Sequence, residues 1–487
     1  MTEPIHRKLI EVALPLEAIN RESQRDNSTL SGHPWNLHYW FARRKLPACR
    51  AMLFAQLVDD PSSRPEDFPT EKDQETERKR LFAMIERLVV WDNAGDESLL
   101  KQAHDEILKS SHGNPPPILD PFAGGGSIPL EAQRLGLDAH ASDLNPVAVL
   151  INKGLIELPA KFAGSQPVHP DVGRTIRHWP RATGLAEDVL HYGMWMRAQA
   201  EQRIGNLYPK AQLENGTTAD VIAWIWARTV KCPNPACRSE IPLASTWWLS
   251  KKKERPTWIH PVVKGKQVEF EIRVDKSGPS DPPKKGRGAK FTCLICSDTT
   301  SDAYIKSEAV AGRMGARLLS VVAEGKRQRV YLPASALHVE AADIARPEDV
   351  PEEKLAIDPR NIWCVSYGLT KFSDLFTNRQ LVALTTFSDL VSEARDRVAA
   401  DAKVAGRTVE EAEKYADAVA LYLAFVVDRA SDNWSSIASW HSGNGQLRNV
   451  FARQAIPMVW DYAEANPFSS QSVGWENLLA RCTDRTR

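Results

Sequence analysis

The stretch Ile118-Leu-Asp-Pro-Phe-Ala-Gly-Gly-Gly-Ser127, continuing through Ile128-Pro-Leu-Glu-Ala-Gln-Arg-Leu-Gly136 to Asp138-Ala-His-Ala-Ser-Asp143, decides the fold class. Ile118-Leu119-Asp120 is a short apolar run ended by glycines, the pattern of a buried strand. Ile128 to Leu135 reads as a helix that stops at Gly136. Asp138 to Asp143 reads as a second short strand. Asn145-Pro146 opens another helix, with proline in the first turn, where its missing N–H is not needed. Strand, loop, helix, strand and helix in this order predict a parallel α/β unit. A glycine turn between strand and helix leaves the first helical N–H groups free and lets an anion or nucleotide approach the backbone.

Three nucleotide readings of that turn compete. A phosphate loop of the Walker type needs Gly-Lys-Ser/Thr, and here Gly126 is followed by Ser127 and Ile128. A dinucleotide fingerprint needs a third glycine where Pro129 stands. The third pattern, Asp120-Pro121-Phe122-Ala123-Gly124-Gly125-Gly126, resembles motif I of the amino-methylating nucleic-acid methyltransferases. That resemblance implies S-adenosylmethionine (AdoMet), with the strand-end carboxylate of Asp120 near the ligand's amino group. Asp143 ends the next strand, where an acidic residue takes ribose hydroxyls by the logic of dinucleotide folds. The candidate cofactor-binding set is Asp120, Pro121, Phe122, Gly124, Gly126, Asp143 and Asn145.

Around this unit the chain runs to 487 residues, enough for two to four domains at roughly 100–200 residues each. Hydrophobic residues make up 43% and charged residues 25%, ordinary globular usage that argues against chain-wide disorder or a coiled coil. The longest apolar run, Ala418 to Val427, falls well short of the roughly 20 residues that span a bilayer. The N-terminus has no signal-peptide pattern, so a cytoplasmic protein is expected. A formal net charge of zero excludes a chain-wide polybasic binder but leaves room for a local basic patch. The texture divides into 1–110, helical and containing His33-Pro34; 111–165, the α/β segment; 166–230, a helical connector; 231–300, a cysteine- and lysine-rich module; and 301–487, mixed α/β and helical. The charged residues 59–80 read as a surface loop.

Seven cysteines are few, and in a cytosolic chain close pairs suggest metal before disulfide. Cys232-Pro-Asn-Pro-Ala-Cys237 and Cys293-Leu-Ile-Cys296 are two such pairs, and two turns of this kind complete a tetrahedral Cys₄ zinc site. Four thiolates leave no open coordination position, so the expected role is structural. Cys49, Cys364 and Cys482 have no partner pattern and read as core thiols. Between the pairs lies a basic excursion containing Lys251, Lys252, Lys253, Arg255, Lys264, Lys266, Lys284, Lys285, Arg287 and Lys290, with Trp247, Trp248 and Trp258 among them. Lysines neutralise phosphates and aromatic rings stack on bases, so this is the expected nucleic-acid-contacting surface. Solvated lysines over core tryptophans are the structural alternative.

Taken together, the chain resembles the bacterial and archaeal adenine-specific DNA methylases that contain a zinc ribbon. The resemblance rests on Gly32-His-Pro-Trp-Asn-Leu-His-Tyr-Trp-Phe-Ala-Arg-Arg44 with Ala48-Cys-Arg-Ala51, on Asp120–Leu135 with Ser142–Asn152, on Trp226–Val230 with the first cysteine turn, on Asp374–Leu381, and on Arg453–Asp461. It implies a Rossmann-like AdoMet-dependent methyltransferase domain with an inserted zinc ribbon and helical region. The implied activity is methylation of adenine N6 in DNA, as in restriction-modification and phage-defence systems. His33-Pro34 would match the family's N-terminal AdoMet-side motif. Without the family, His33 reads as a turn histidine beside proline. Arg43 and Arg44 fit either phosphate or core-edge contacts.

One signature is missing. Adenine N6 methylation uses Asp/Asn-Pro-Pro-Tyr/Phe, whose polar groups accept from the N6 amine and whose ring stacks on the flipped base. Asp281-Pro-Pro-Lys284 has lysine in place of the ring, and Asn466-Pro467-Phe468 lacks the second proline. Neither is assigned, and the catalytic residues stay unidentified. The sequence therefore reads as the front part of a longer methylase, or as one half of a divided one whose downstream polypeptide or partner subunit carries the tetrapeptide. The rival expectations are a non-catalytic zinc-ribbon DNA-binding or scaffold subunit with a cofactor-sensing fold, and a methyltransferase for RNA or a protein amide.

Overall fold

The computed structural model describes residues 7–27, 33–172, 178–326, 328–451, 454–471 and 473–486. Gly32 and Arg453, which begin two of the stretches quoted above, lie outside them. The architecture mixes helices and sheets, and the chain divides into two units. The first comprises Met1–Pro167, Gly173–Glu187 and Thr483–Arg487; the second comprises Val168–Val172 and Asp188–Cys482. No helix among the described residues is long and apolar enough to cross a membrane.

In the first unit, α1 (Leu9–Val12), α2 (Leu16–Arg25), α3 (Leu46–Leu57), α4 (Glu71–Leu88) and α5 (Glu97–Ser110) precede β1 (Ile118–Asp120), α6 (Ser127–Arg134), β2 (Ala139–Ala141) and α7 (Pro146–Asn152). A π-helical turn then leads to α8 (Leu158–Lys161). Half of the expected 59–80 loop is helix. Thr70 and Asp73 form a capping box at the start of α4, and its charged first turns are simply the solvated end of an amphipathic helix. The α/β reading of 118–152 holds: β1 and β2 pair in parallel, Ile118 with Ala139 and Asp120 with Ala141. Ile118 and Ala139 pack on a core that includes Leu9, Phe54, Ile85, Ile107 and Leu135. On the opposite side Leu119 is 70% exposed, and the loops that follow the two strands expose Phe122 and Leu144. A buried ion pair fixes α6 against α3, with Arg50 Nε donating to Glu131 Oε2 at 2.5 Å and Arg134 to Glu131 Oε1 at 2.8 Å.

The helix α9 (Thr183–Ile204) runs across the boundary between the units. The expected helical connector ends there. Residues 211–231 form β3 (Ala211–Gln212), β4 (Thr218–Ala219) and β5 (Val221–Lys231). Val221 to Val230 is buried throughout, because β5 is a central strand with neighbours on both edges. It is followed by β6 (Glu240–Pro242), β7 (Trp248–Ser250), β8 (Thr257–Lys264), β9 (Gln267–Val274), α10 (Asp302–Val310), β10 (Gly315–Gly325), β11 (Gln328–Pro333), α11 (Ala336–Glu340), α12 (Asn378–Val404), α13 (Val409–Ser431), β12 (Ser439–His441), β13 (Gln446–Arg448) and β14 (Asp461–Ala465). The main sheet runs β11-β10-β5-β14, antiparallel throughout, with β6 on the end of β5. It draws strands from 221 to 465 into one layer, which no division by composition foresaw. Arg379 locks α12 to β14 by a bidentate pair with Glu464 (3.0 and 2.8 Å), both buried, while its guanidinium lies 4.2 Å from the Trp224 ring centroid.

Candidate cofactor cavity and metal centre

The C-terminal end of β1, the glycine turn and the end of β2 open on a cavity of about 400 Å³. Asp120, Phe122, Gly124 and Asp143 line it, so four of the seven sequence-derived cofactor residues come together there. Its remaining wall is the segment from Trp40 to Arg44. Pro121, Gly126 and Asn145 are not among its lining residues. Gly126 (φ +75°) turns the chain into α6, and Asn145 caps α7 by accepting from the Val147 N–H at 3.0 Å. The Asp120 carboxylate accepts from the Phe122 N–H at 3.2 Å, which closes a local turn.

Asp143 has a second task that the spacing did not reveal. Its Oδ2 accepts from the Gly124 N–H and its Oδ1 from the Asn145 N–H, each at 2.8 Å. These bonds, Asn145 first, hold its carboxyl below the usual range. The candidate ribose ligand therefore also fixes the glycine turn. Asn152 does so from α7, donating to Gly124 O at 2.9 Å. Trp40 was missed as a site residue. Its indole lies on the turn, so closely that a Cβ on Gly124 would stand 2.6 Å from Nε1. Four aromatics fall between positions 35 and 41, and the sequence gives no sign of which one meets the loop.

His33 is placed away from this cavity's lining. It is buried, shares a 2.7 Å hydrogen bond with Asp26, and packs between Trp35 and Trp91. Arg43 and Arg44 both line the cavity. The Arg43 guanidinium stacks 3.9 Å from the Trp35 centroid, with its pKa lowered by burial, and Arg44 O accepts from Ser127 Oγ.

Cys232, Cys237, Cys293 and Cys296 converge, with all four sulfurs within 4.8 Å of one another. Cys232 Sγ to Cys296 Sγ is 3.5 Å, and Cys237 Sγ to Cys293 Sγ is 3.8 Å. A tetrahedral ion with metal–sulfur bonds of about 2.3 Å sets its sulfurs about 3.8 Å apart, so the group could hold a metal ion without rearrangement. The Ser239 hydroxyl and N–H hold the Cys237 thiol down at about 6, whereas burial pushes Cys232 up to about 12. The residue after each second cysteine, Arg238 (φ +50°) and Ser297 (φ +64°), adopts the left-handed backbone that turns each pair back toward the cluster. Cys49, Cys364 and Cys482 are buried, as core thiols should be, and burial pushes Cys49 up to about 12 and Cys364 to about 11.

His169, Asp171 and His191 also lie within 4.8 Å of one another. Their imidazoles stack almost in parallel (4.1 Å, 10°), and an ion must lie in the plane of each ring that binds it, so this is no preformed metal site. In the basic excursion, Trp247 and Trp258 are buried and only Trp248 is half-exposed. Lys251, Lys252, Lys253 and Arg255 are exposed and form no ion pair among the described residues, whereas Lys264 pairs with Glu269 and Lys285 with Asp281. The Asn466 side chain is consumed by backbone, donating to Val221 O and accepting from the Phe468 N–H.

A family model described as "Protein of unknown function (DUF1156)" matches residues 13–84, the segment that carries Trp40, Arg43 and Arg44 of the cavity wall. Comparison with curated proteins and with solved structures finds no match.

Proposed function

We propose that this chain is the AdoMet-binding and DNA-facing part of an adenine-N6 DNA methyltransferase with a Rossmann-like cofactor domain and a structural zinc ribbon. The carrying observation is the 400 Å³ cavity, which gathers Asp120, Phe122, Gly124 and Asp143 at the carboxyl end of two parallel strands. Ligands of open parallel sheets bind at that end. When bound, AdoMet supplies an electrophilic methyl group. Asp120 would bind its amino group, Asp143 its ribose, and the glycine turn would let it approach the backbone. The Cys₄ spacing suits zinc in a closed site that orders the module and leaves no position for substrate. The lysine run at 251–253 would meet DNA phosphates, by a contact that weakens with salt.

The bare side of β1 and β2 supports the reading of a partial domain. Parallel sheets are covered on both faces in folded proteins, and Leu119 of β1 lacks such cover. A downstream polypeptide or partner subunit bearing Asp-Pro-Pro-Tyr would supply both the missing layer and the acceptor site. The absence of that tetrapeptide also favours a second reading, a scaffold subunit that senses cofactor. The test is calorimetry with AdoMet followed by transfer of labelled methyl to DNA. Asp120→Ala should lose about 10-fold or more in cofactor affinity, as expected for a charge-assisted hydrogen bond. Equal affinity in wild type and variant would refute the site. The chain alone should leave DNA unlabelled; labelling by the chain alone would mean that it holds its own acceptor site. Labelling on addition of the downstream polypeptide would support a divided enzyme over a scaffold.

A further inference from the structure

A second cavity, of about 370 Å³, lies wholly within the second unit and belongs neither to the cofactor turn nor to the cysteine cluster. Its walls come from several separate parts of the chain, among them Ser245 and Trp248 around β7, Trp440 on β12 and the segment from Met458 to Asp461 leading into β14; the Trp460 ring itself packs against Phe291 and Tyr367. Tertiary folding alone brings them together. Backbone bonds hold the parts in place: Trp440 Nε1 donates to Leu249 O at 2.7 Å, and the Lys251 N–H donates to Ser442 O at 2.9 Å. One acid, Asp461, faces this aromatic surround, with Oδ1 accepting from the Ser245 N–H at 3.3 Å. Burial outweighs that bond and pushes the carboxyl up to about 6, and in either protonation state it offers an acceptor oxygen.

The surroundings are cationic. Lys284 lines the cavity, although its ammonium donates to Gly286 O and Gly288 O. The Lys251 ammonium stands 5.9 Å from the Trp248 centroid, and Lys252, Lys253 and Arg255 follow on the surface. Aromatic walls with one carboxylate also suit an organic cation, but these lysines oppose a cationic guest and attract an anionic one. Planar rings that stack, an acceptor among them and a basic approach together select a base on a phosphate chain.

We propose that the cavity bounded by Trp248, Trp440 and Asp461 takes one unstacked, amino-bearing nucleobase, adenine or cytosine, of a DNA strand whose phosphates lie on the Lys251–Arg255 run. The base stacks on tryptophan, and its exocyclic amine donates to Asp461. The proposal rests on the reading of this unit as DNA-facing and deepens it. It does not require AdoMet or methyl transfer.

The test uses the full chain, fluorescence anisotropy and short labelled oligo(dA), oligo(dC), oligo(dT) and duplex DNA at one salt concentration. Wild type should bind oligo(dA) and oligo(dC) more tightly than oligo(dT), and Asp461→Asn should narrow that preference. Trp440→Ala should weaken single-strand binding about 5- to 150-fold, the range for loss of one base–aromatic stack, while Trp440→Phe retains most of it. Metal content and thermal unfolding of each variant separate loss of the stack from loss of the fold. Should Trp440→Ala prove unfolded, the base preference and its change in Asp461→Asn decide the matter alone. Equal binding of all three oligonucleotides, with no change in folded Trp440→Ala, overturns the pocket while duplex binding leaves the DNA reading standing. Absence of binding to every DNA overturns both, and AdoMet calorimetry then shows whether the cofactor reading survives.

Discussion

Replacing Gly124 by alanine tests the glycine turn and the Trp40 wall together. Gly124 has φ +51°, and a Cβ there lands 2.6 Å from Trp40 Nε1 and 3.3 Å from two further indole atoms. Left-handed backbone costs an L residue about 1–2 kcal/mol. Alanine has less unfolded-chain entropy to lose than glycine, which offsets about 0.4–1 kcal/mol. The clash adds overpacking of about 1–3 kcal/mol, since carbon and its neighbours prefer contacts near 3.5 Å. The net expectation is a local destabilisation of about 2–3 kcal/mol. In a Trp40→Ala background the clash is gone and about 0.5–1 kcal/mol of strain should remain. Gly125→Ala is the control, because its backbone is not left-handed and its Cβ meets Trp40 Cβ at 3.2 Å. Hydrogen exchange of the 118–143 amides reads the local stability, and calorimetry reads AdoMet. If Gly124→Ala costs the same with and without Trp40, the indole does not lie on the turn. If folded Gly124→Ala binds AdoMet like wild type, the turn is not the cofactor site.

Three further outcomes are expected. Protein purified without chelator should carry one zinc per chain, and Cys293→Ser should lose it and expose the 231–300 module to protease, because metal binding and folding of such modules are coupled; full metal content in the variant would refute the ligand set. Asp461 has its pKa raised on folding to about 6, so its protonated form favours the folded state; that contribution is present below the unfolded value near 4 and is lost as pH rises through about 6. Asp461→Asn should therefore gain stability relative to wild type between pH 4 and pH 7, and a pH-independent difference in urea midpoint would contradict the burial argument. Ser297→Gly should raise resistance to chelator-induced unfolding by about 0.5 kcal/mol, the left-handed strain relieved less the chain entropy glycine brings, and a loss of stability would show that the turn needs its side chain.

Local chemistry is legible in the residues alone. Asp120, the glycines, Gly136 and Asn145-Pro146 specify strand, turn, helix stop and helix start through backbone preferences that act over a few residues, and the structure reproduces all four. The cysteine pairs were equally legible, since thiols three and five residues apart on tight turns can meet one ion whatever surrounds them. Residues 221–230 were not legible. The apolar run from Val221 to Ala227 has no period, so helix and buried strand look alike until β10 and β14 occupy its edges. That Trp40 covers the glycine turn, that Asp143 anchors Gly124, that Trp247 and Trp258 belong to the core, and that Trp248, Trp440 and Asp461 share a cavity emerges only from long-range packing. These are contacts between segments from 19 to over 200 positions apart, and which of several tryptophans meets which partner is set by packing, not by spacing.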